Sequence, residues 1–179
     1  MSENKDVYVQ AKSQMRLSER IAAALPGFRG YKEKELRRES DKLIRNHLYL
    51  KLSRAKDNVR LISQKIADKR YFDVLTDVDR LIAKMDRITE KVNHASYGYS
   101  GFFDIVKIKE ENLDRMIAYD SNLLDSVNTL TDAVDNLKAH LLSGDYTALK
   151  EKVQSVNDNV DLFEDTFDRR QDAVLGVTT

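Results

Sequence analysis

Cysteine and tryptophan are absent from this chain of 179 residues, proline occurs once and glycine six times. Without cysteine there is no disulfide staple, no thiolate metal site and no cysteine nucleophile, a composition compatible with a reducing compartment. With so little proline and glycine, few positions interrupt a helix. No window approaches the ~20 consecutive apolar residues that cross a bilayer, and the first ten residues hold no apolar run of signal-peptide length. The expectation is a soluble or peripheral, cytoplasmic, all-α protein. One domain over 1–170 is large enough to bury roughly two-thirds of its unfolded surface, with 171–179 as a flexible tail.

Net charge is also lacking, since 30 Lys and Arg balance 30 Asp and Glu. The zero hides a split. Residues 1–70 hold 18 Lys and Arg against 9 Asp and Glu, and residues 71–179 hold 12 against 21. Opposed halves either pair helix against helix within one chain or set one molecule's basic half against another's acidic half.

What the chain has in quantity is helical periodicity. Leu113, Met116, Leu123, Val127, Leu130, Val134, Leu137 and Leu141 recur at three- and four-residue spacings but for one seven-residue step across Asp120, a seam for a helix capped by Asp104 and ending near Leu142. Val74, Val78, Leu81, Met85, Ile88 and Val92 form a strict heptad after Asp73, a fair N-cap. Tyr146, Leu149, Val153, Val156, Val160, Phe163 and Phe167 keep the alternation in the last helix, with Gly144 suited to the left-handed position before it and Asp145 to its N-cap. A long helix over 32–67 has Leu36, Leu43, Leu50, Val59, Ile62 and Ile66 as its buried face. A first helix over 6–25, placed in the bundle or at its periphery, carries Val7, Ala11, Met15, Ala22 and Leu25 and stops at Pro26. The reading is an elongated antiparallel up-and-down bundle of four to five long helices with coiled-coil-like heptad packing.

Alternating direction places the loops 26–31 and 93–103 at one end and the turns 68–72 and 143–145 at the other. The two loops hold four of the six glycines and six of the fourteen aromatic residues. Phe28, Arg29, Tyr31, Tyr97, Tyr99, Phe102 and Phe103 either cap the end of the core or form a contact surface for a partner or a lipid interface. The helix 32–67 carries a basic stripe of Arg37, Arg38, Lys42, Arg45, Lys56 and Arg60, which suits an anionic membrane or nucleic acid. Its Glu33, Glu35, Glu39 and Asp41 oppose that use, and Glu33–Arg37 and Asp41–Arg45 are favourable i,i+4 pairs.

Catalytic and metal chemistry find little support. A di-iron bundle wants Glu three residues before His, whereas Ile44, Lys91 and Leu137 stand before His47, His94 and His140. Glu110, Glu111 and Asp114 suit the positive end of a helix dipole. Asp120 falls on a seam, where a polar residue fixes register or pairs with a basic neighbour. Gly27 to Gly30 and Gly98 to Gly101 are too short for a phosphate loop. No metal, cofactor or small-molecule substrate is expected, and a ligand site under the 97–103 loop is the residual enzymatic reading.

The layout of long helices with a basic first half and an acidic second half resembles membrane-remodelling filament subunits of the ESCRT-III and phage-shock-protein type. The resemblance lies in layout alone, so it implies subunit assembly and assigns no site residue. The functional expectation is a non-enzymatic interaction or scaffold protein that engages a protein partner or copies of itself. A peripheral binder of anionic membranes or nucleic acid is the alternative.

Overall fold

The computed structural model describes residues 17–30, 34–95, 110–144 and 146–175. Among them the chain is helical with no strand: α1 (17–24), α2 (Lys34–Asp68), α3 (Phe72–His94), α4 (Glu110–Leu142) and α5 (Leu149–Leu175). Contacts gather into two compact units. The first holds, of the described residues, 17–30, 34–47, 95, 110–124 and 166–175; the second holds 48–94, 125–144 and 146–165.

In the first unit, Ile21 of α1 and Leu25 just after it are buried one turn apart. Ala22, expected on the same face, is exposed, because the face is set by Ile21 and Leu25 at i,i+4. Val7, Ala11 and Met15 lie outside the described residues. The helix ends where Pro26 predicts, and Phe28 N–H closes a turn onto the Leu25 carbonyl at 3.1 Å. Ile44 of α2, Met116, Ile117, Leu123 and Leu124 of α4, and Phe167 of α5 complete the apolar part of this core.

In the second unit the buried residues recur at steps of three and four. Leu48, Leu52, Ala55, Val59, Ile62 and Ile66 line α2, and Val74, Val78, Leu81, Met85, Ile88 and Val92 line α3. Val127 to Leu141 on α4 and Leu149 to Phe163 on α5 keep the same alternation. Thr89, fully buried on α3, satisfies its hydroxyl by donating to the Met85 carbonyl at 2.6 Å. The buried face of α2 corrects the sequence expectation: Leu43 is half-buried and Leu50 is 46% exposed. Val59, Ile62 and Ile66 extend backwards without a gap through Ala55, Leu52 and Leu48, whereas Leu50 and Val59 are nine positions apart.

Polar pairs tie the four helices of the second unit. Arg60 donates to both Asp86 oxygens at 3.1 and 3.2 Å, and Ser63 donates to Asp79. Lys51 donates to Asn128 at 2.5 Å, and Lys138 to Asn58 at 2.9 Å. Arg87 makes a two-pronged contact with Glu164 at 2.7 and 2.8 Å. Thr129, Asp132 and Asn136 of α4 face Lys152, Ser155 and Asn159 of α5 across a cleft.

The reversals follow backbone rules. At the end of α2, Tyr71 N–H reaches the Ile66 carbonyl at 3.1 Å and Arg70 N–H the Ala67 carbonyl at 2.9 Å, the two bonds of a Schellman motif. Arg70 therefore occupies the left-handed position, at φ 61°, where glycine is usual. Helix α3 begins at Phe72, so Asp73 sits in its first turn rather than capping it. Gly144 takes the expected left-handed conformation at φ 76°. Asp104 and Asp145 lie outside the described residues. Helix α5 continues to Leu175, past the residue 171 at which the sequence pattern places a tail.

Candidate functional site

The most unusual chemistry in the described structure is a line of charges inside the first unit. Arg170 of α5 donates from Nε to Asp120 Oδ1 on α4 and from Nη2 to Asp41 Oδ1 on α2, the latter at 2.8 Å. Arg45 Nε donates to the other Asp41 oxygen, also at 2.8 Å. Side-chain exposure is 1% for Arg170, 3% for Asp41 and 0% for Asp120, rising to 14% at Arg45. Cation and anion alternate, so the four formal charges cancel. Two isolated carboxylates would be expensive to bury, and each here faces a guanidinium whose planar fork suits it.

Helical phase explains why three such side chains meet. Asp41 stands three residues before Ile44, Asp120 four after Met116, and Arg170 three after Phe167. Each occupies the place an apolar seam residue would take. The arrangement fixes which turn of α2 lies beside which turns of α4 and α5, because sliding one helix by a residue moves its charge ~1.5 Å and turns it by ~100°. With Asp120 fully buried and Asp41 and Arg170 nearly so, the line is a clasp rather than an open reaction centre.

Sequence reasoning singled out Asp120 as a seam residue that fixes register or pairs with a basic neighbour, and the structure places Arg170 beside it. It also paired Asp41 with Arg45, which holds. It missed Arg170 and the inward position of Asp41. Their signal was the one that marked Asp120, a charge in phase with a seam.

The expected contact residues are described only in part. Tyr31, Tyr97, Tyr99, Phe102 and Phe103 lie outside the described residues. Phe28 is half-buried and Arg29 exposed. The buried Ser40 hydroxyl donates to the Gly30 carbonyl at 3.0 Å, which holds the end of that loop on α2. Among the described residues, exposed aromatic surface occurs at the α2–α3 turn, where Tyr71 stacks on Tyr146 at 4.3 Å and Phe72 is 61% exposed.

Of the basic stripe on α2, the side chains of Arg37 and Arg38 lie outside the described set and Lys42 is exposed. Arg45 is engaged by Asp41. Lys56 and Arg60 converge on Asp86 at 2.9 and 3.1 Å. The Lys56 hydrogen bond, reinforced by both positive charges and opposed by partial burial, holds the Asp86 carboxyl below its usual range.

Among the described residues no group of three or more His, Cys, Asp or Glu side chains is placed to hold a metal ion. No described helix is long and apolar enough to cross a membrane. No protein-family model, no curated protein and no solved structure matches this chain.

Proposed function

We propose that the protein is a non-enzymatic helical interaction and scaffold protein that associates with copies of itself through the outer faces of long helices. The observation that carries this reading is apolar surface left outside seams that are already filled. Leu50 and Leu61 on α2 and Leu162 on α5 are 46, 48 and 55% exposed, while each helix buries other apolar residues spaced three and four apart. A helix with one stripe buried and leucines on another side has a second contact available.

The same reading takes the second unit as a four-helix bundle with heptad packing, and the numbering of its polar pairs supports it. Between α2 and α3 the partner's number falls as the α2 number rises, from Lys56–Asp86 to Ser63–Asp79, as opposed directions require. Between α2 and α4 the separation is 77 at both Lys51–Asn128 and Asn58–Asp135, as a shared direction requires. Lys84–Asn157 and Arg87–Glu164, separated by 73 and 77, give the same sign for α3 and α5. In this arrangement α2 and α5 occupy opposite corners. Two neighbouring pairs are joined by short turns and antiparallel, and two are parallel, which departs from a ring of antiparallel neighbours.

The anionic-ligand alternative finds less support, because Arg45, Lys56 and Arg60 already face carboxylates of their own chain. The opposed charges of the two halves are in part consumed the same way. Sedimentation velocity of the full chain over tenfold steps in concentration tests the proposal. A sedimentation coefficient that rises with concentration is expected, and one monomeric boundary throughout counts against it.

A further inference from the structure

The exposed stripe of α2 has an order of residue types that complements its own reversal. Leu50, Arg54, Asp57 and Leu61 step by four, three and four residues, and all four are exposed. At ~100° per residue they fall within roughly 60° of one another, away from the buried Leu52 and Val59. Reversed, the stripe reads leucine, acid, base, leucine. We propose that α2 of one copy packs antiparallel on α2 of a second copy across a two-fold axis between Arg54 and Asp57. This deepens the self-association reading above and rests on it.

Across such an axis Leu50 meets Leu61 of the second copy, and Arg54 meets its Asp57, each contact occurring twice as an isologous interface demands. The four-three-four spacing is that of a coiled-coil seam. Arg54 has no ion partner among the described residues, so its charge is available to another chain. Asp57 holds only a long, wet contact to Arg60 at 3.7 Å, with side chains 69 and 48% exposed. Beyond the leucines, the same register sets Asn46 opposite Lys65 and His47 opposite Gln64, without like charges. Lys51 and Arg60 lie on opposite flanks of the stripe and are each drawn to their own chain, by Asn128 and Asp86. An anionic surface fits worse, since Asp57 and Asp68 share the exposed side with Arg54 and Lys65. A single helix pair is a small interface, so the dimer dissociates on dilution.

The test is light scattering of the full chain and of two variants, with circular dichroism confirming that each remains helical. Arg54→Asp alone and Asp57→Arg alone put like charges across the axis, and each weakens dimerisation about tenfold or more. Mixed in equal amounts, one variant supplies two acids and the other two bases, and the mixture recovers dimers. Self-association left unchanged by both single variants overturns the α2 interface while the self-association reading stands. Variants that weaken it but do not recover on mixing overturn the two-fold pairing. A wild type that stays monomeric at every concentration overturns both this inference and the reading on which it rests.

Discussion

Arg170 neutralises two carboxylates at once, so its removal leaves Asp41 and Asp120 buried without their shared cation. Arg170→Met is expected to cost about 3–5 kcal/mol in urea unfolding, the range for breaking a buried ion pair from one side. Replacing Asp41 and Asp120 by leucine in the same chain recovers most of that loss, because the apolar replacements need no partner. Little recovery would mean that the clasp contributes more than mutual compensation. Asp86 behaves differently, being 41% exposed between Lys56 and Arg60. Its folded pKa lies below the unfolded one, so its contribution is present above the ordinary carboxylate range and is lost as pH falls through the lowered value. Asp86→Asn is expected to cost under about 1 kcal/mol at neutral pH, with the gap from wild type closing in acid. Asp120 was legible because nothing local accounts for a charge on a seam. Asp41 was hidden by Arg45, whose i,i+4 position made the pair look complete on the surface. Arg170 was hidden because the seam was followed only to Phe167.

On α2 two sets of leucines compete for the inside. Leu36, Leu43 and Leu50 recur every seven residues, while a second apolar series steps by four and four through Ile44, Leu48 and Leu52 and then by three and four through Ala55 and Val59. Local pattern cannot choose between them, since both are apolar and both are helical in period. Continuity with Val59, Ile62 and Ile66 makes the choice, and the pairing helices enforce it. Leu48→Ala is accordingly expected to cost about 2–5 kcal/mol, and Leu50→Ala under about 0.5 kcal/mol, by thermal or urea unfolding. Equal costs would contradict the phase described for α2. The turn after α2 gives a second case. A reversal near residues 68–72 was readable from the change of pattern, but nothing in an arginine announces a left-handed backbone. Arg70→Gly relieves that conformation and is expected to raise stability by up to about 1 kcal/mol, partly offset by the greater freedom of glycine in the unfolded chain. A loss of stability would mean that the arginine side chain contributes more than its backbone costs.

For the whole molecule, helical class followed from composition and period, since both act within single helices. Which helices are neighbours did not follow, because a heptad seam is satisfied by any apolar partner, in the same chain or another. The charge split was visible from counting, yet whether opposed charges act within or between chains depends on which side of each helix they occupy. Lys56 and Arg60 meet Asp86 of their own chain, whereas Arg54, on the same helix, faces outward. The inner seams and clasps are buried within the chain, and the exposed leucine stripe of α2 is the surface proposed above to meet a second copy. The direct test is light scattering of the wild-type chain beside Leu50→Glu/Leu61→Glu over one concentration series. The wild type is expected to rise from 20.6 kDa towards twice that mass while the helical variant remains at the lower value. Identical curves for the two proteins would contradict the account.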